Sequence, residues 1–143
     1  ASYKKVWGAY YERGGLILTD RYTTSNAVHQ TVKAPPPERG ECLRGLDDYD
    51  DTSRRLPRPD LVLYLDMPTD QAAALLRRRE ADTHTQADIH ELDTAYLASC
   101  RESALQAADL LGWKVIPCVD ASGALRPVES IQEEVWSLAA PLL

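Results

Sequence analysis

Apolar positions near the start of the chain recur at helical spacing: Tyr3, Val6, Trp7, Tyr10 and Tyr11 fall at i, i+3, i+4, i+7 and i+8. That stripe predicts a helix from the beginning of the chain to about Glu12, ended by Gly14-Gly15, because glycine takes the left-handed conformation that closes a helix. Leu16, Ile17 and Leu18 then make a short apolar run that predicts a buried strand over Leu16–Thr19. A second helix is expected from Thr24 to Lys33, terminated by Ala34 and Pro35-Pro36-Pro37. Glu38 to Arg55 is charged and only weakly periodic, and is read as one or two short helices.

Pro57 and Pro59 punctuate the chain before Leu61-Val62-Leu63-Tyr64-Leu65. So continuous an apolar run predicts a parallel strand covered on both faces, ending at Asp66. Thr69 or Asp70 can start the next helix, with Ala72, Ala73, Leu75 and Leu76 facing inward. Glu80 to Ala87 is polar and aperiodic and is read as a loop. The longest helix follows, with Ile89, Leu92, Tyr96, Cys100, Ala104, Ala107 and Leu111 spaced by three or four, and Gly112 closes it. Trp113–Cys118 is the third strand, Asp120 to Arg126 a turn around Gly123, and Pro127 opens a last helix whose buried side carries Val128, Ile131, Val135 and Leu138. Strands alternating with helices predict an α/β fold with a parallel sheet and right-handed crossovers.

Composition narrows the class of partner. A chain of 143 residues with 44% apolar and 27% charged residues is expected to be one domain with a real core. A net charge of −6 argues against a nucleic-acid surface. No run approaches the roughly 18 apolar residues of a membrane helix, so neither nucleic acid nor membrane is expected as a partner. Cys42, Cys100 and Cys118 are odd in number, widely spaced and without a C-x-x-C pair; they are read as reduced thiols of a cytoplasmic protein. His84 and His90 have no cysteine or histidine at ligand spacing, so no zinc or other metal site is read from the side chains.

The candidate chemistry gathers after the first predicted strand. In open α/β sheets ligands bind beyond the carboxyl ends of the strands, where this chain carries Asp20 and Arg21. A guanidinium there can grip a phosphate with two parallel hydrogen bonds; a surface ion pair between Asp20 and Arg21 is the equally weighted alternative. Asn26 lies five positions after Arg21. Its carboxamide offers the donor and acceptor that match a pyrimidine's N3 and carbonyl edge, or it caps the helix. Arg77, Arg78 and Arg79 fan around a helix end favoured by its dipole. Asp66 is read as a turn or helix-start residue.

Asp20-Arg21-Tyr22, with Ser25, Asn26, Ala27 and Gln30 behind it, resembles the DRY segment of thymidylate kinases. Leu56–Asp66, Arg77-Arg78-Arg79 and Asp88–Leu97 resemble the strand, lid and post-lid helix of the same family in the same order. The resemblance implies a P-loop nucleoside-monophosphate-kinase-like parallel sheet covered by helices. It implies transfer of the γ-phosphoryl group of ATP to dTMP, giving dTDP and ADP, with Mg2+. In that frame Arg21 holds the dTMP phosphate, and Asp20 orients Arg21 or a magnesium-bound water. Ser25, Asn26 and Gln30 lie about the base, and His29 replaces a Tyr that crowds the sugar. Arg79 and Arg77 would reach adenine and the transferred phosphate, Asp88 and Glu91 would flank the cleft, and Asp120–Arg126 would lie against adenine. The segments become a DRY region over 16–33, a lid over about 77–91 and a last strand and helix over 113–143, in one partial kinase domain that relatives commonly pair as homodimers.

Two departures follow. The phosphate-binding pattern G-x-x-x-x-G-K-[ST] is absent, and Lys4, Lys5, Lys33 and Lys114 have no such glycines before them. The lid carries no Arg or Lys, which resembles the members whose catalytic Arg sits in the phosphate loop. The chain is therefore expected to be a truncated part of a longer protein and inactive as a kinase alone, with unpaired backbone where the family's loop-bearing strand would lie between Leu16–Thr19 and Leu61–Leu65. The alternatives are another P-loop deoxynucleoside or nucleotide kinase, and a non-catalytic nucleotide-binding remnant.

Overall fold

One long helix, α5 (Thr94–Leu111), organises the structure, a computed structural model that describes residues 4–52, 57–83 and 94–143. Its buried face is made of Ser103, Ala104, Ala107 and Ala108. Side chains this small let neighbouring backbones approach closely, and three other helices and both strands of the described sheet pack on this helix. A π-type turn over Lys4–Gly8 leads into the short α1 (Ala9–Tyr11), followed by α2 (Thr23–Thr31) and α3 (Arg39–Thr52). Strand β1 (Leu63–Asp66) and helix α4 (Thr69–Thr83) come next; β2 (Lys114–Pro117) and α6 (Val128–Ala139) follow α5.

The described sheet has two parallel strands, with Leu63 opposite Lys114 and Asp66 opposite Pro117. The ladder is extended at both ends by Lys114 N–H to the Val62 carbonyl and Cys118 N–H to the Asp66 carbonyl, each 2.9 Å. With α5 packed on both strands, this is the expected α/β arrangement. Beneath α5, Ala27, Leu43 and Ala107 form the buried cluster, flanked by Val28, Leu46 and Trp113. Leu43 is fully enclosed, worth about 2 kcal/mol of apolar burial. Polar groups buried with it are paired: Arg39 bonds Glu102 at 2.9 Å and the Ala34 carbonyl at 3.4 Å, and Ser103 Oγ donates to the Val28 carbonyl at 3.4 Å.

Several expectations are corrected. Leu16–Thr19 is not a strand: it joins no ladder among the described residues, and Leu18 is 95% exposed. An apolar run becomes a strand only when a neighbour takes its backbone groups, and the described sheet pairs β1 with β2 alone. Within the segment read as one or two short helices, a 3-10 turn leads into one 14-residue helix, Arg39–Thr52, as expected, its weak periodicity offset by packing of Leu43 against α2 and α5, while positions 53–55 lie outside the described residues. α4 continues as helix through Glu80–Thr83, where a loop was expected, so Arg77–Arg79 are not in its last turn. Positions 84–87, with His84, lie outside the described residues, as do Ile89, His90 and Leu92. Leu65, Leu75 and Val128 are exposed, although their patterns placed them inside. No described helix is long and apolar enough to cross a membrane, and all three cysteines are free.

Candidate functional site

The DRY segment turns sharply at one residue. Arg21 has φ +68°, the only positive φ at a non-glycine among the described residues. A left-handed backbone at a residue with a Cβ costs about 1–2 kcal/mol. Such strain persists only where neighbours hold it, and Tyr22 supplies the hold. Its hydroxyl donates to the Pro57 carbonyl at 3.0 Å, and its ring lies 6.5 Å from that of Trp7. Tyr22 thus ties the turn to the segment entering β1, an anchor that local sequence reading missed. Its backbone carbonyl also receives the Ser25 N–H at 3.1 Å, starting α2. Arg21 and Asp20 are both exposed, and no ion pair joins them among the described residues.

From this turn α2 presents Ser25, Asn26, His29 and Gln30. Asn26 sits in the interior of the helix and does not cap it, since the cap position is Tyr22. Its Oδ1 accepts from Gln30 Nε2 at 3.5 Å, and Gln30 Oε1 accepts from Lys33 at 3.3 Å, a ladder along the exposed face. His29 points instead toward α5. Its Nδ1 lies 3.2 Å from the Tyr96 hydroxyl and 3.8 Å from Cys100 Sγ, and its ring is stacked on Tyr96 at 6.5 Å. Burial, with the nearby Arg21 charge, lowers the His29 pKa below 6.5, so the neutral imidazole is favoured. The hydrogen bond to Cys100, with burial, raises the Tyr96 phenol above its ordinary value.

At the carboxyl end of β1, Asp66 is held by Arg101: Nε to Oδ1 at 2.6 Å and Nη2 to Oδ2 at 2.8 Å. This corrects the reading of Asp66 as a turn residue; both its oxygens are engaged across 35 positions of sequence. The bond to Asp66 raises the Arg101 pKa. Burial, then the Asp66 charge, raises Tyr64, and burial likewise raises Cys118. The rim therefore runs from Arg21 through His29 and Cys100 to the Asp66–Arg101 pair.

Arg77 and Arg79 stand exposed on α4, whereas Asp88 and Glu91 lie outside the described residues. The Asp120–Arg126 turn forms as expected, with Gly123 at φ +83°. Asp120 Oδ1 accepts from Ser122 Oγ at 2.6 Å, Ser122 N–H at 2.8 Å and Ala124 N–H at 3.1 Å, which lowers its pKa. A groove of about 520 Å³ between α5, β2 and α6 includes Leu105, Trp113 and Leu138 in its lining and shares no residue with the DRY rim; the chemistry favours the rim. Among the described residues no three His, Cys, Asp or Glu side chains converge on a metal position. Asp66 is committed to Arg101, so the exposed Asp20, beside Arg21, is the carboxylate that fits a magnesium ion, which takes one or two carboxylates and phosphate oxygens.

A thymidylate kinase of Xanthomonas euvesicatoria pv. vesicatoria is 30% identical over 121 residues, covering 83% of this chain and 46% of the relative. The chain resembles thymidylate kinases. One from a Roseiflexus species is 26% identical across 94% of this chain and 59% of its own, and one from Pseudomonas fluorescens is 29% identical across 92% and 57%. The chain thus spans about half the length of the thymidylate kinases it matches. No protein-family model matches it, and no solved structure does.

Proposed function

We propose that these residues form the acceptor side of a dTMP kinase, which transfers the γ-phosphoryl group of ATP to dTMP and yields dTDP and ADP. The observation that carries the reading is Arg21, an exposed guanidinium held in a strained turn at the head of α2. Strain of this kind is kept where it aims a group. The fork of Arg21 would take two phosphate oxygens of dTMP. Asn26, with Ser25 and Gln30, would face the pyrimidine edge, and His29, braced by Tyr96, would lie against the sugar.

Phosphoryl transfer asks the protein mainly to position the two nucleotides and neutralise charge. Asp20 would hold a magnesium ion directly or through water, and the ion would supply positive charge to offset that of the phosphates. Arg77 and Arg79 would face the ATP side with Asp88 and Glu91. The glycine-rich cradle for the ATP phosphates is not within these 143 residues, so the reading concerns the acceptor half of the reaction, and the homodimer implied by the resemblance belongs to the same reading. In a coupled assay on the complete protein, Arg21→Ala should raise the KM for dTMP far more than the KM for ATP. Equal effects on both would make Arg21 structural. Calorimetry with thymidine separates the deoxynucleoside kinase alternative, for which the unphosphorylated nucleoside binds at least as well as dTMP.

A further inference from the structure

Cys100 is the one described cysteine with a base beside it. Its half-buried Sγ lies 3.8 Å from His29 Nδ1, which is also 3.2 Å from the Tyr96 hydroxyl. The three side chains come from two helices, and the contact between His29 and Cys100 spans 71 positions of sequence. The other thiols are placed differently. Cys118 is buried against the Ile116 carbonyl at 3.9 Å, and Cys42 receives a hydrogen bond from Thr31 at 3.8 Å. A nucleophile within reach of a base that a third group orients is the general pattern of an activated side chain, and reactive thiols sit in partly exposed, electropositive surroundings. Arg21 is close enough to His29 to act on its charge.

We propose that Cys100 is a peroxide-reactive thiol, activated by His29 and assisted by Tyr96, and thus an oxidative modification site beside the proposed nucleotide site. The sulfur attacks the nearer oxygen of a hydroperoxide; an S–O bond forms as the O–O bond breaks. His29 Nδ1 takes the thiol proton and returns one to the departing oxygen, which leaves as water or an alcohol while the Tyr96 hydroxyl donates it a hydrogen bond. Sulfur is oxidised from thiol to sulfenic acid and the peroxide is reduced, so atoms and electrons balance. A hydroperoxide suits the position because it is small enough to reach a half-buried sulfur. Oxidation would place a new oxygen against His29 and disturb its contact with Tyr96.

The test treats the complete protein with hydrogen peroxide, traps sulfenic acid with a dimedone probe and maps the label by peptide mass spectrometry. Cys100 should be labelled at least roughly tenfold faster than Cys42 or Cys118, and His29→Gln should slow it by roughly a hundredfold, the low end of general-base effects. Tyr96→Phe should give a smaller slowing, and circular dichroism of each variant confirms that it is folded. If His29→Gln unfolds the chain, His29→Asn with the Tyr96→Phe result decides. Labelling of Cys42 or Cys118 at the rate of Cys100, or an unchanged Cys100 rate in a folded His29 variant, overturns the proposal. Both outcomes are labelling rates measured without nucleotide, so they are read separately from the dTMP reading, in which His29 also takes part.

Discussion

Breaking the Asp66–Arg101 pair should cost stability through a defined coupling. The two bonds are short, 2.6 and 2.8 Å, and the side chains are 14% and 36% exposed. Fully exposed pairs contribute about 0–1 kcal/mol, whereas charge-assisted hydrogen bonds reach about 1.5–3 kcal/mol. Partial exposure on the Arg101 side brings the expected coupling to about 1.5 kcal/mol. Arg101→Met keeps the apolar stem but strands a largely buried carboxylate, so its own cost should be about 2–3 kcal/mol. At this chain length that lowers Tm by about 8 °C. Urea unfolding of wild type, Asp66→Asn, Arg101→Met and the double variant closes a double-mutant cycle. A coupling below about 0.5 kcal/mol, within the additivity seen for independent sites, would refute the view that this pair braces the end of β1. A coupling that vanishes as salt rises from about 0.1 to about 1 M would place it among screened surface pairs.

The other predictions concern the core, the histidine and the strained turn. Leu43→Ala should cost about 3 kcal/mol in urea unfolding, since the side chain is wholly enclosed between α2 and α5; a loss below about 1 kcal/mol would mean that the cluster collapses around the change. The His29 pKa is lowered in the fold, so protonation favours the unfolded chain. The His29 contribution is then fully present above pH 6.5 and lost as pH falls through the folded pKa; His29→Gln should flatten that part of the stability profile, and an unaltered profile would contradict it. Arg21→Gly relieves the left-handed strain but adds glycine's backbone entropy, so unfolding free energy should stay level or rise by up to about 1 kcal/mol. A loss of more than about 1 kcal/mol would show that Arg21 supports the fold instead of burdening it.

Much of the frame is legible in the chain because its punctuation is local. Pro35–Pro37 end α2, Pro57 and Pro59 precede β1, and Pro127 precedes α6, each where its ring and missing N–H forbid continuation. Leu16–Thr19 misled because its composition is that of a strand while strand formation depends on a partner elsewhere. Glu80–Thr83 misled in the other direction: Glu80 and Ala81 are good helix formers, and a solvated helix needs no apolar stripe there. Within the site, Asp20, Arg21 and Asn26 announce themselves through adjacency to an apolar run. Arg101 and Tyr96 do not, since their partners Asp66 and His29 lie 35 and 67 positions away, and both residues sit inside a helical pattern that reads as packing alone.

In the proposed function Arg21 holds the acceptor nucleotide by its phosphate. Isothermal titration of the complete protein with dTMP and with thymidine, in wild type and in Arg21→Ala, addresses it without requiring turnover. Loss of two charge-assisted bonds should weaken dTMP by about 3 kcal/mol, roughly a hundredfold, and leave thymidine binding nearly unchanged. An equal loss for both ligands, or none for dTMP, would contradict the account.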